Sequence, residues 1–163
     1  MGYRSDVTYI VTFNCVDQPE KAYAQFVHFY EWVTKHHKIE EKGGQMTERH
    51  IVKGVYDYNN HRTLGYGKFY WNVDEMTLVF EAEDIKYYDS YIDTQWDEQL
   101  LKQVEKYSCG VYKFVRLGED PADVEYKDYA GKDVDECFSI DLYTETRIVC
   151  DLPDEKDFTE KTS

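Results

Sequence analysis

Val7-Thr8-Tyr9-Ile10-Val11-Thr12-Phe13 is rich in β-branched and aromatic residues with partial alternation, and it reads as a strand. Shortly after it, Asp17-Gln18-Pro19-Glu20 supplies an N-capping acid, a proline near the first helical position and an acid three residues on. Tyr23, Phe26, Val27 and Tyr30 then recur at i, i+3, i+4 and i+7, and Val33 extends the stripe. That spacing predicts a helix with one apolar face, running to about His37 and stopped by Gly43-Gly44.

Further along, residues 64–71 and 76–82 are strand-like and flank Asn72-Val73-Asp74-Glu75, as the arms of a hairpin flank its turn. A second helix is predicted over about residues 91–107, with Ile92, Trp96, Leu100 and Val104 on one stripe. Residues 111–117 form another strand. Residues 45–63 fit either a short helix or a strand around Ile51, Val52 and Val55, with a turn at Asn59-Asn60. The order strand, helix, two strands, helix, strand predicts an α+β fold: a ferredoxin-like split β-α-β sheet with both helices on one face. Residues 123–129 and 138–149 are strand-like again, and predict a C-terminal β-hairpin added to the sheet or projecting from it. The expected organisation is a single α+β domain over 1–150, in which 118–150 is an acidic C-terminal hairpin extension, followed by a polar tail at 151–163.

Length and composition suit that reading. At 163 residues, 42% hydrophobic and 17% aromatic, the chain can bury a core, so its net charge of −14 is not a sign of disorder. The charge is unevenly placed: residues 118–163 hold five Lys and Arg against fifteen Asp and Glu, which is −10 of the total. Such a face repels nucleic acid and anionic membranes and favours basic partners. Two readings stay open: a solvated surface that keeps the chain soluble, or a face that mimics nucleic acid and enters a basic groove. No apolar run resembles a signal peptide or a membrane span. Cys15, Cys109, Cys137 and Cys150 include no close pair, which argues against structural zinc and for free thiols in a reducing compartment.

No nucleophile elbow, phosphate loop, zinc-protease helix or dinucleotide fingerprint is present. His36-His37 falls where the first helix ends and suits its dipole. The neighbouring acids Asp97-Glu98, Glu119-Asp120 and Asp133-Val134-Asp135-Glu136 read as solvated surface loops rather than acid–base pairs or a cation loop. No catalytic, cofactor or metal residue is therefore assigned, and no cofactor is expected. The candidate partner-binding residues are the tyrosine-rich edge Tyr87, Tyr88, Asp89, Tyr91 and Asp93, and the acids Glu119, Asp120, Asp123, Glu125, Asp133, Asp135 and Glu136. The tyrosines either pin the entry to the second helix or form a recognition surface, where tyrosine gives area at low entropic cost.

Three stretches carry a resemblance: Met1-Gly2-Tyr3-Arg4-Ser5-Asp6, Glu83-Asp84-Ile85-Lys86-Tyr87-Tyr88-Asp89-Ser90-Tyr91, and Phe114-Val115-Arg116-Leu117-Gly118-Glu119-Asp120. In order and wording they resemble a diffuse group of small, uncharacterised bacteriophage proteins, over roughly residues 1–125. Ile92 stands where that group often has proline, and the segment from Ala130 onward extends beyond it. The resemblance implies a phage accessory protein without a known cofactor, acting in the cytoplasm of the infected bacterial host. It also implies stoichiometric binding to a host protein, most simply a nucleic-acid-handling defence complex of the kind blocked by anti-CRISPR and anti-restriction proteins. The expected partner is a host protein with a basic surface, with no direct nucleic-acid binding and no membrane; the sequence leaves homo-oligomerisation open. A virion or assembly component, and an enzyme of unrecognised type, are the alternatives.

Overall fold

Strand β1 (Ser5–Phe13) is buried at eight of its nine positions, so both faces of the sheet must be covered where it runs. The computed structural model describes residues 3–15, 17–37, 47–48, 68–89, 92–144 and 148–151. Helix α1 (Pro19–His37) has proline at its first position, where the missing N–H has no intrahelical partner to lose. The Gln18 carbonyl accepts from the Lys21 and Ala22 amides at 3.0 and 3.3 Å and begins the helical ladder. The buried face is Ala22, Phe26, Phe29 and Val33. It is rotated from the predicted stripe: Tyr23 is 53% exposed, while Phe29, outside that stripe, is fully buried. Both sets have helical period, and the all-carbon ring takes the core while the phenol keeps a wet end.

Strands β2 (Thr47–Glu48), β3 (Lys68–Asn72) and β4 (Thr77–Ile85) follow. The β3–β4 turn falls where the sequence places it. Asn72 Oδ1 accepts from the Glu75 amide at 3.1 Å, and Met76 takes a left-handed φ of 52° to close the turn onto the Asn72–Thr77 pair. Helix α2 (Ile92–Val104) carries the predicted stripe, with Trp96, Leu100 and Val104 all buried. Strands β5 (Gly110–Gly118), β6 (Val124–Ala130), β7 (Asp141–Thr144) and β8 (Ile148–Asp151) complete the elements among the described residues. The fold is mixed α+β: among the described residues, two helices and an antiparallel sheet in the order β2-β3-β4-β1-β5-β6, with β7-β8 as a separate antiparallel pair. Of the ambiguous stretch 45–63 only β2 lies within the described residues, as does only Asp151 of the tail.

The two sheet faces are filled differently. Val7, Tyr9, Val11 and Phe13 pack with the buried faces of α1 and α2. On the other side Ile10, Val79, Val111 and Val115 pack against Ile140. The pairing of the C-terminal strands differs from the predicted hairpin. Residues 118–123 turn tightly, with the Gly118 amide donating to the Asp123 carbonyl and the Asp123 amide to the Asp120 carbonyl, each at 2.8 Å. β6 therefore returns directly along β5, from Leu117–Val124 to Val111–Ala130, because a short loop costs the least closure entropy. The chain then passes Gly131, where a Cβ would lie 2.2 Å from the Ser108 carbonyl oxygen, and crosses to the second face.

Among the described residues one carboxylate sits in the helix-side core. Asp97, on α2 rather than in a surface loop, is 1% exposed and accepts from the hydroxyls of Tyr9 at 2.7 Å and Tyr87 at 2.8 Å. Replacing it by alanine strands two hydroxyls without their acceptor. Asp97→Ala is expected to lower stability by about 2–4 kcal/mol, read as a fall in the urea midpoint at unchanged m-value. Asp97→Asn, which keeps one acceptor oxygen, should lose less.

Candidate functional site

Antiparallel register sets three cross-strand pairs side by side on the helix-facing side of the β5–β6 edge: Tyr112 with Tyr129, Phe114 with Lys127, and Arg116 with Glu125. The first pair stacks at 5.9 Å between ring centres, and both hydroxyls are anchored near the end of α2, Tyr112 on the Glu105 carboxylate and Tyr129 on the Tyr107 carbonyl. Lys127 Nζ stands 4.9 Å from the Phe114 ring centre, a cation–π contact. The Tyr87 ring also packs against Phe114, tilted, at 6.2 Å between ring centres. Between this edge and the first turns of α2 lies a small notch with room of about 40 Å³, bordered by Tyr87, Asp89, Thr94, Glu98, Arg116 and Lys127.

The charges around the notch are unequally matched. Arg116 holds Asp123 with two nitrogens, at 2.8 and 3.2 Å, and reaches Glu125 at 3.4 Å and the Ser5 hydroxyl at 3.2 Å. Tyr3 donates to the same Asp123 carboxylate at 2.7 Å. The Arg116 guanidinium and then the Tyr3 hydroxyl hold the Asp123 carboxyl down at about 2. Lys127 has Glu125 at 4.0 Å. By contrast Asp89 and Glu98 enter no ion pair among the described residues. Thr94 is 2% exposed, and its Oγ1 has no hydrogen-bond partner among the described residues.

The predicted site residues fall into three groups. Tyr87 and Asp89 meet Glu125 at the notch, joining one end of the tyrosine edge to the acidic segment. Tyr87 is half-buried with its hydroxyl spent on Asp97, so it pins the approach to α2; Tyr88 is half-buried. Asp93 lies in the first turn of α2, and Tyr91 lies outside the described residues. A second group organises the 118–123 turn and the strand beside it. Glu119 accepts from the Arg4 amide at 2.8 Å, Asp120 from the Ala122 amide at 2.9 Å, and Asp123 binds Arg116 and Tyr3. The third group fastens the crossing segment. Asp133 pairs with Lys21 at 2.7 Å, which holds its carboxyl below the usual range. Asp135 accepts from the Cys137 amide at 2.7 Å, while Glu136 is exposed.

Sequence reasoning did not select Thr94, Glu98, Phe114, Arg116 or Lys127. Alternation in β5 and β6 puts Phe114 with Arg116 and Glu125 with Lys127 on one face each, a signal usable only once the pairing is known. Comparison with known protein families, curated proteins and solved structures returns no match. No helix among the described residues is long and apolar enough to cross a membrane. Among them, too, no group of three or more His, Cys, Asp and Glu side chains is placed to hold a metal ion. The Tyr107 hydroxyl meets His28 Nδ1 at 2.6 Å, but burial pushes its pKa up, so the phenol stays protonated rather than becoming a nucleophile. The notch brings together three acids, Asp89, Glu98 and Glu125, and two cations, Arg116 and Lys127, beside the Phe114 ring.

The Asp123 cluster has a pH signature. Its folded pKa of about 2 lies below the unfolded value of about 3.9, so its contribution to stability is complete above the unfolded pKa. That contribution is lost as pH falls from about 4 to about 2. The difference in urea midpoint between the native chain and Asp123→Asn should be constant from pH 7 to pH 5 and shrink below pH 4. A difference that does not change down to pH 2.5 would show that the carboxylate charge is not what Arg116 binds.

Proposed function

We propose that this chain is a phage accessory protein that works by stoichiometric binding to a basic host protein, without catalysis, in the cytoplasm of the infected cell. Its fold is a ferredoxin-like split β-α-β core carrying a C-terminal extension, a reading supported by four antiparallel strands in the order β3-β4-β1-β5 with both helices in one core cluster. The observation that carries the functional reading is the residual acidity. After Arg116 and Lys21 are matched to Asp123, Glu125 and Asp133, the acids Asp89, Asp128 and Glu136 remain exposed on a chain of net charge −14. Such a surface steers towards a basic groove and competes there with nucleic acid. The phage-like stretches at 1–6, 83–91 and 114–120 point to a host defence complex that handles nucleic acid as the target class.

A self-associating assembly component is the second reading, favoured by the outer position of β6 in the sheet and by Tyr126, 58% exposed upon it. Light scattering separates the two, since a monomer at working concentration excludes a permanent assembly.

The immobilised chain should capture basic, nucleic-acid-binding proteins from a bacterial lysate at low salt, and release them to added duplex DNA or RNA. Combined Asp89→Asn, Asp128→Asn and Glu136→Gln should weaken capture by about tenfold or more, roughly 1.4 kcal/mol, and flatten its salt dependence. These three positions are chosen because they leave the Arg116 and Lys21 pairs intact. Capture that is indifferent to salt, to nucleic acid and to the triple substitution would overturn the reading.

A further inference from the structure

Two thiols meet where β1 ends and β5 begins. The Asn14 amide donates to the Cys109 carbonyl at 2.9 Å, one step beyond the Phe13–Gly110 pair, so Cys15 follows directly on a cross-strand contact with Cys109. Cys109 is fully buried in the helix-side core, and Cys15, half-buried, packs against the same cluster. Their side chains lie within hydrogen-bonding reach of one another, and both are free thiols.

The backbone around them is pinned on both strands. The Cys15 carbonyl accepts from the Gln18 amide at 3.2 Å, in the turn that leads into α1. Gln25, from α1, accepts from the Cys109 amide at 2.8 Å and donates to the Ser108 hydroxyl at 2.9 Å. The Ser108 carbonyl accepts from the Asp133 amide at 2.9 Å. Joining the two sulfurs at about 2.05 Å therefore calls for side-chain rotation rather than backbone movement, which is the condition for a bond without strain. The two thiols are unequal. Burial pushes the Cys109 thiol pKa up, so it is the poorer attacking group at neutral pH. Cys15 is reachable from solvent, and the Lys21 ammonium, held by Asp133 at 2.7 Å, is close enough to act on its charge.

We propose that Cys15 and Cys109 form a redox-sensitive pair, closed to a disulfide by exchange with a low-molecular-weight disulfide of the glutathione class. The Cys15 thiolate attacks one sulfur of the small disulfide, that S–S bond breaks, and one glutathione leaves as a thiol. Cys109 then gives up its proton and attacks the Cys15 sulfur, the mixed S–S bond breaks, and the second glutathione leaves. The protein loses two hydrogens and two electrons, and the small disulfide gains both. The closed bond staples the end of the first strand to the start of β5, across a long stretch of sequence, where a cross-link removes the most freedom from the unfolded chain.

The test incubates the full chain in glutathione buffers of rising oxidised fraction at neutral pH, blocks the remaining thiols after denaturation, and maps the peptides by mass spectrometry. A Cys15–Cys109 cross-linked peptide should appear, two hydrogens lighter than its parts and opened again by dithiothreitol. The oxidised chain should melt about 5–10 °C higher than the reduced one. Cys109→Ser should stop with glutathione on Cys15, Cys15→Ser should leave Cys109 reduced, and Cys137→Ser should form the same bond as the native chain. Cys15 is half-buried, so its variant keeps the test decisive if the Cys109 variant fails to fold. A bond to Cys137 instead, a mixed disulfide that persists on Cys15 in the native chain, full reduction in excess oxidised glutathione, or an unchanged or lower melting midpoint overturns the proposal.

Discussion

The burial of β1 on both faces governs the rest of the structure. A strand with Tyr9 and Val11 pointing one way and Ile10 the other has no face to give to water. One face is satisfied by α1 and α2. The other needs chain from elsewhere, and the segment from Gly131 to Ile140 supplies it, crossing under the sheet to set Ile140 against Ile10. The part that reads as an acidic appendage is therefore half of the core's closure, and its fastenings, Lys21 to Asp133 and Asn14 to the Asp135 amide, reach back to the first helix and the end of the first strand.

That double duty changes what the charge asymmetry means. A sequence tally assigns −10 to residues 118–163 and treats the acids as interchangeable. In the fold they are not. Asp123, Glu125 and Asp133 are matched to cations, and Glu119, Asp120 and Asp135 satisfy backbone amides in turns. Acids that cap amides and pair with Arg or Lys hold loops in shape, and only the remainder is free to act at long range.

Local pattern made much of the fold legible. β1, α1, the β3–β4 turn, α2 and β5 are written in residues close together, where period and turn chemistry suffice. What stayed hidden depended on distant partners. The buried face of α1 turns on whether Phe29 or Tyr23 meets the sheet, and both choices have helical period. Asp97 looked like half of a surface acid pair because nothing near it in sequence announces the hydroxyls of Tyr9 and Tyr87. The tyrosine edge was legible as a place but not as a role: Tyr87 proved to be a hydroxyl donor to the core. Of the notch, Asp89, Tyr87 and Glu125 were readable as candidates, while Thr94 and Glu98 belong to it only through the way α2 lies beside β5 and β6.

The register of β1 also sets a schedule for biosynthesis. This strand leaves the ribosome before its partners, since β4 and β5 are Thr77–Ile85 and Gly110–Gly118, and Ser5 pairs with Gly118 itself. At about 5–20 residues per second, the nascent chain carries its most apolar strand unpaired for several seconds. A seven-residue run from Val7 to Phe13 with no charge is the kind of segment that seeks another edge while it waits. The early helix α1, which needs no distant partner to form its hydrogen bonds, is the nearest apolar surface on which that strand can shelter. Crowded, rapid synthesis would therefore strain this chain at β1, well before the acidic residues 118–163 are made.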